Sequence, residues 1–159
     1  MRIVIFLLTL ALAPVAQAQR VISGPVEAEV LRVIDGDTIE VRAFIWPGHS
    51  VETRVRLADV DAPELRRVQC EEEREAGFAA KAFVEGLLAG NGARVQISEV
   101  RLGSFAGRVI AHMALPDGRD LGALLMEEGH ATPYSARGGW CPVLEASDPA
   151  QEEAAASRS

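Results

Sequence analysis

Apolar and polar residues alternate over residues 26–33, where Val26, Ala28, Val30 and Val33 sit among Glu27, Glu29 and Arg32. A period of two reads as a strand with one buried face. The alternation returns over residues 38–45, 51–60, 94–100 and 108–115. Between the first two runs, Asp35-Gly36-Asp37 reads as a turn in which glycine takes a positive φ. Residues 46–50, with Pro47 and Gly48, read as a loop. In the third run Val51, Thr53, Val55 and Leu57 fall on one face and Glu52, Arg54 and Arg56 on the other. Pro63, in Asp61-Ala62-Pro63-Glu64, ends that ladder.

Residues 71–89 switch to a helical period, with Phe78, Ala79, Ala82, Phe83 and Leu87 as the apolar stripe. Glu71, Glu72, Glu73 and Glu75 crowd the first turns, where the helix dipole favours a solvated acid run. Gly90-Asn91-Gly92 stops the helix. A second, short helix over 121–128 turns Leu121, Leu124 and Leu125 inward and ends at Gly129. The order β-β-β-α-β-β-α predicts an α+β protein: a five-stranded β-barrel with packed helices, for which the OB-fold is the natural candidate. Order alone leaves other α+β folds open.

Two terminal segments stand outside this pattern. Met1-Arg2, an apolar run from Ile3 to Ala13, and Ala16-Gln17-Ala18 form the three parts of a secretory signal cut after Ala18. The apolar run is short of the roughly 20 residues that span a bilayer. From Leu144 the chain offers almost nothing to bury. The expected organisation is therefore a signal over 1–18, one folded domain over 19–143, and an acidic disordered tail over 144–159. An exported monomer, with no membrane attachment after cleavage, is the expected form.

The formal charge is −7, and loss of Arg2 with the signal makes it −8. This counts against a nucleic-acid binder that works by bulk positive charge, but not against an enzyme with a metal and a few focused arginines. Lys81 is the only lysine, and arginine suits bidentate phosphate contacts. The two cysteines, Cys70 and Cys141, are expected to pair in an exported chain. With His49, His112 and His130 scattered, zinc is not indicated.

Candidate chemistry lies in the two acidic clusters that follow strands. Turn formation alone would explain either. Together, across neighbouring strands, they would supply the oxygen ligands a hard divalent cation needs, with Arg56 close in sequence to Asp61. Metal, carboxylates and arginines are the requirements of phosphoryl chemistry.

Three blocks carry a resemblance: Ile34-Asp35-Gly36-Asp37-Thr38, Val55-Arg56-Leu57-Ala58-Asp59-Val60-Asp61-Ala62-Pro63-Glu64, and Gly107-Arg108. They resemble the signature blocks of the staphylococcal nuclease (thermonuclease) family, over about residues 26–134. The resemblance implies a staphylococcal nuclease-type OB barrel and a Ca2+-dependent nuclease of little sequence specificity. Such an enzyme acts on DNA and RNA, preferably single-stranded, and leaves 3′-phosphates. It implies calcium on Asp37, Asp61 and the Ala62 carbonyl, with Asp35 behind a bound water. Glu64 would prepare the attacking water, and Arg56 and Arg108 would hold the phosphate. Where the family often carries an acid, a lysine and a tyrosine before the third block, this chain has Ser104, Phe105 and Ala106, so a substrate-contacting ring is expected to be missing. Tyr134 is the one counterpart of the family's stacking tyrosines, with base contact and simple packing both open. Trp140, beside Cys141, is expected to cover the disulfide. The rival reading is an OB-type binding domain that has lost turnover. A protein that binds calcium only for structure would leave Arg56 and Arg108 without a role.

Overall fold

A computed structural model of the chain describes residues 20–90, 94–105, 107–136 and 139–142. The expected signal segment, the whole of the acidic tail, Ala106, and Asn91-Gly92 of the expected helix stop lie outside these residues. The elements are β1 (Val26–Asp35), β2 (Thr38–Trp46), β3 (His49–Leu57), β4 (Val60–Asp61), α1 (Glu71–Gly90), β5 (Arg94–Leu102), β6 (Arg108–Ala114), α2 (Leu121–Glu127), β7 (Thr132–Pro133) and a 3-10 turn (Tyr134–Ala136).

Strands β1, β2, β3, β6 and β5 close into a barrel in that order. All neighbours are antiparallel except β3 and β6, which run parallel. This is the five-stranded OB-type barrel with helices that the element order predicts. Alternation decides which residues fill it. Ile39, Val41, Val55, Ile97, Ala111 and Met113 point inward and are buried. Arg54, Arg56, Arg108 and Ile110 take the opposite phase. Because Arg54 pairs with Arg108 and Arg56 with Ile110 across the parallel junction, the outer face there carries three arginines on two adjacent strands.

Several expectations need correction. Residues 46–50 are not a loop: Trp46 pairs with His49 around Pro47-Gly48, so β2 and β3 form a continuous hairpin. The run 51–60 is not one strand. It breaks at Ala58-Asp59, where Asp59 takes φ 62°, and resumes as β4, which pairs with β7. Gly36 is not among the positive-φ glycines. Its need is for space, since a Cβ there would lie 2.8 Å from the Ala80 Cβ and 2.9 Å from the Ala62 Cβ.

The face α1 buries also differs. Glu73, Gly77, Ala80, Val84 and Leu88 are buried, whereas Phe78 is 59% exposed and Ala79 and Ala82 are exposed. Small residues at 77 and 80 let the helix approach closely, and that decides the face over the larger but outward Phe78. Glu73 is not solvated. It accepts the Gln69 backbone N–H at 2.6 Å, which ties the segment entering the helix back to the first turn. For α2, Asp120 is the N-cap and accepts from the Ala123 N–H at 2.9 Å. Cys70, just before α1, is bonded to Cys141, 71 residues away, and this ties the end of the described chain to the helix start. The Trp140 carbonyl lies 4.0 Å from the Cys70 sulfur, which places that residue beside the bridge. Among the described residues, no helix is long and apolar enough to cross a membrane.

Candidate active site

The site forms where the β1–β2 turn, the end of β3 and the segment after β4 meet. The pairing of Thr38 with Arg56 across β2 and β3 sets Asp37 beside the Arg56 side chain. Arg56 Nη1 donates to Asp37 Oδ1 at 2.9 Å, and Nη2 donates to Asp61 Oδ1 at 3.0 Å. One guanidinium thus bridges acids from the two separate clusters. Asp37 accepts two further hydrogen bonds, from Thr38 Oγ1 at 2.9 Å and from the Ala62 backbone N–H at 3.2 Å. Asp35 caps the turn, its Oδ1 accepting the Asp37 N–H at 3.3 Å. The Asp37 carbonyl accepts the Leu57 N–H at 2.8 Å, which fixes the turn to β3.

Asp37 is 3% exposed. Burial raises its pKa to about 7, with Asp35 adding to the rise, against the opposing pull of Arg56, the Ala62 N–H and Thr38. A single arginine therefore leaves this carboxylate short of positive charge. The donors here are hard oxygens that converge on one cationic group, and that chemistry fits a hard divalent cation. Among the described residues no three His, Cys, Asp or Glu side chains gather into a ready cage. In this arrangement the two acids are occupied by Arg56.

The remaining predicted residues border two clefts beside this bridge. Glu64 is exposed and lines a cleft of about 350 Å³ with Asp35, Thr38, Arg66, Arg67 and Arg108. Its segment is held by α1: a Cβ on Gly77 would lie 3.2 Å from the Pro63 and Glu64 carbonyl oxygens. Arg108 and Arg56 line a second cleft of about 140 Å³ with Arg101 and Tyr134. A larger groove of about 580 Å³ lies between β1 and α1, away from the acids. Tyr134 is half-exposed, with the Arg56 guanidinium carbon 6.0 Å from its ring centroid, and its backbone N–H bonds to the Asp59 carbonyl at 2.9 Å.

The expectation of a missing ring before Gly107-Arg108 is corrected. Phe105 is 67% exposed, with the Arg108 guanidinium carbon 4.7 Å from its ring centroid, within cation–π range. An aromatic group does stand at the cleft, one place earlier than the family pattern suggested. Sequence reasoning also passed over Thr38, the Ala62 N–H, and the basic groups Arg54, Arg66, Arg67 and Arg101. Only Arg66-Arg67 carried a visible signal, as a basic pair directly after Glu64-Leu65.

A closed OB-type barrel with arginines on the outer face of its parallel junction and acids from the adjoining β1–β2 turn and β4 defines the general class of this protein. The family model described as staphylococcal nuclease homologue matches residues 54–159. The chain is 34% identical over 134 residues to "Protein ParB" of Escherichia coli, covering 79% of this chain and 70% of that protein. It is 33% identical over 111 residues to "Micrococcal nuclease" of Shigella flexneri, covering 67% and 57%. It is 30% identical over 114 residues to "Uncharacterized endonuclease" of Escherichia coli, covering 72% and 65%. The chain thus spans less than two thirds of the latter two relatives. It belongs to the staphylococcal nuclease homologue family. The family match begins at Arg54, so Asp35 and Asp37 precede it; the Arg56 bridge is what joins them to the matched part.

Proposed function

We propose that the chain is an exported, calcium-dependent nuclease that hydrolyses phosphodiester bonds of DNA and RNA with little sequence specificity. It prefers single strands, acts as a monomer and leaves 3′-phosphates. The observation that carries this reading is the Arg56 bridge between Asp37 and Asp61, with Glu64 and Arg108 facing the adjoining clefts. Two relatives bear names that describe nucleases. The expected signal segment and the Cys70–Cys141 bond support export.

In this reading Asp37, Asp61 and the Ala62 carbonyl hold calcium, and Asp35 braces the turn behind them. Bound calcium would offset phosphate charge as a Lewis acid. Glu64 orients the attacking water and accepts its proton as the new P–O bond forms. The P–O5′ bond breaks, and the departing 5′ oxygen takes up a proton. Arg56 spends two of its five N–H donors on the acids, which fixes the guanidinium plane and leaves the others for phosphoryl oxygens. Arg108, whose Nε is buried with no hydrogen-bond partner among the described residues, donates from the other side. Both stabilise the charge that builds up on the equatorial oxygens.

The test is release of acid-soluble nucleotides from denatured DNA by the mature protein, in calcium and in EDTA, with Glu64→Ala alongside. Calcium-dependent release by the wild type, and a loss of orders of magnitude in the variant, is the expected result. A folded wild-type protein that releases nothing would hand the chain to the binding-domain reading.

A further inference from the structure

The chain has 23 acidic and 16 basic residues, and most described arginines reach a carboxylate, as Arg42, Arg94 and Arg119 do. Arg66, Arg67, Arg101 and Arg108 make no ion pair among the described residues, and apart from Arg20 near the start they are the only described arginines in that state. These four are not scattered. Arg66, Arg67 and Arg108 line the cleft that holds Glu64, and Arg101 and Arg108 line the cleft that holds Arg56. Arg108 is common to both. Arg66 also borders the β1–α1 groove, which Lys81 and Glu85 line as well.

Each position has a local cause. Arg66 and Arg67 follow Glu64 in the exposed segment between β4 and α1. Arg101 reaches its cleft because the β5–β6 register shifts between Ser98 and Arg101, with Glu99 at φ 54°. That extra residue swaps the phase of the strand, turning Val100 toward the core and Arg101 away from it. In a protein of net negative charge, the bulk field repels a polyanion, so cations not held in ion pairs decide where one can lie, here in clefts that Asp35, Glu64 and Asp59 also line. Phe105 and Tyr134, both exposed, stand at the two clefts, and aromatic faces of this kind stack unpaired bases.

We propose that a single-stranded nucleic acid crosses the site through Arg108, with Arg66 and Arg67 holding backbone phosphates on one side of the reacting bond and Arg101 holding them on the other. This rests on the nuclease reading for its reacting bond, so binding is measured apart from turnover. The probes are fluorescent oligothymidylates of about twelve and about three nucleotides, within and below the span of an OB surface, titrated in EDTA across a salt series. The double variant Arg66→Ala, Arg67→Ala is expected to bind the longer probe about tenfold more weakly, with the salt slope reduced by about 1.4. It should bind the shorter probe like the wild type, and Arg66→Lys with Arg67→Lys should restore the longer probe. Equal affinity of wild type and double variant for the longer probe overturns the proposal. So does an equal loss on both probes, or no binding of the longer probe by the wild type. If the expected pattern holds while the calcium assay shows no hydrolysis, the nuclease reading fails and the strand path stands.

Discussion

Arg56 and Asp37 show how much a single side chain is asked to do. The Arg56 fork spans two carboxylates, a geometry that a lysine point charge does not reproduce. Arg56→Lys is therefore expected to keep the fold and lower turnover roughly 100-fold or more, as read by initial rates on denatured DNA. Near-wild-type rates would remove Arg56 from the chemistry. Asp37 sets a pH dependence in the calcium-free protein. Its folded pKa of about 7 lies above its ordinary 3.8, so between those values the folded state holds a proton that the unfolded chain has released. Stability is then greatest below about pH 4 from this group, falls as pH rises, and is fully lost above about pH 7, by on the order of a few kcal/mol. Urea denaturation in EDTA across this range should show the slope, and Asp37→Asn should flatten it. An unchanged slope in the variant would assign the dependence to another group.

At the scale of elements, close approach matters as much as pattern. Gly36→Ala pushes a methyl into the Ala80 and Ala62 side chains and is expected to cost about 1–3 kcal/mol. Since the same turn carries Asp35 and Asp37, activity should fall with it; an unchanged melting temperature would show that the turn can yield. The Cys70–Cys141 bond closes a 71-residue separation, which the chain-entropy model values at about 4 kcal/mol before strain. Reductant should lower the denaturation midpoint accordingly, and no shift would mean that the bond does not form in solution. These are also the places where the sequence was hard to read. Alternation located the five barrel strands because their inner faces are mostly apolar. The helix face was misread because Phe78 outweighed Gly77 and Ala80 in an apolar count, although small residues are what permit contact. β4 and β7 are too short to show a period, and Glu73 looks like any other acid until Gln69 is found beside it.

For the whole molecule, the five strands are legible in the alternation and their closure agrees with the OB candidate that element order offers among other α+β folds, and the acid clusters and Arg56 are visible as motifs. Their assembly is not, since it depends on the β2–β3 register and on the parallel β3–β6 contact between segments far apart in the chain. The chain's acidity likewise hid where its unpaired arginines lie.

That parallel contact has a temporal side. Asp35 through Glu64 are made in the first half of the chain, but their neighbour Arg108 and the strand that closes the barrel come much later. A polypeptide halted before residue 108 holds the acids without the second arginine and without a finished wall behind them. The two arginines and the acids therefore share one site only after the last barrel strand has been made and the barrel has closed.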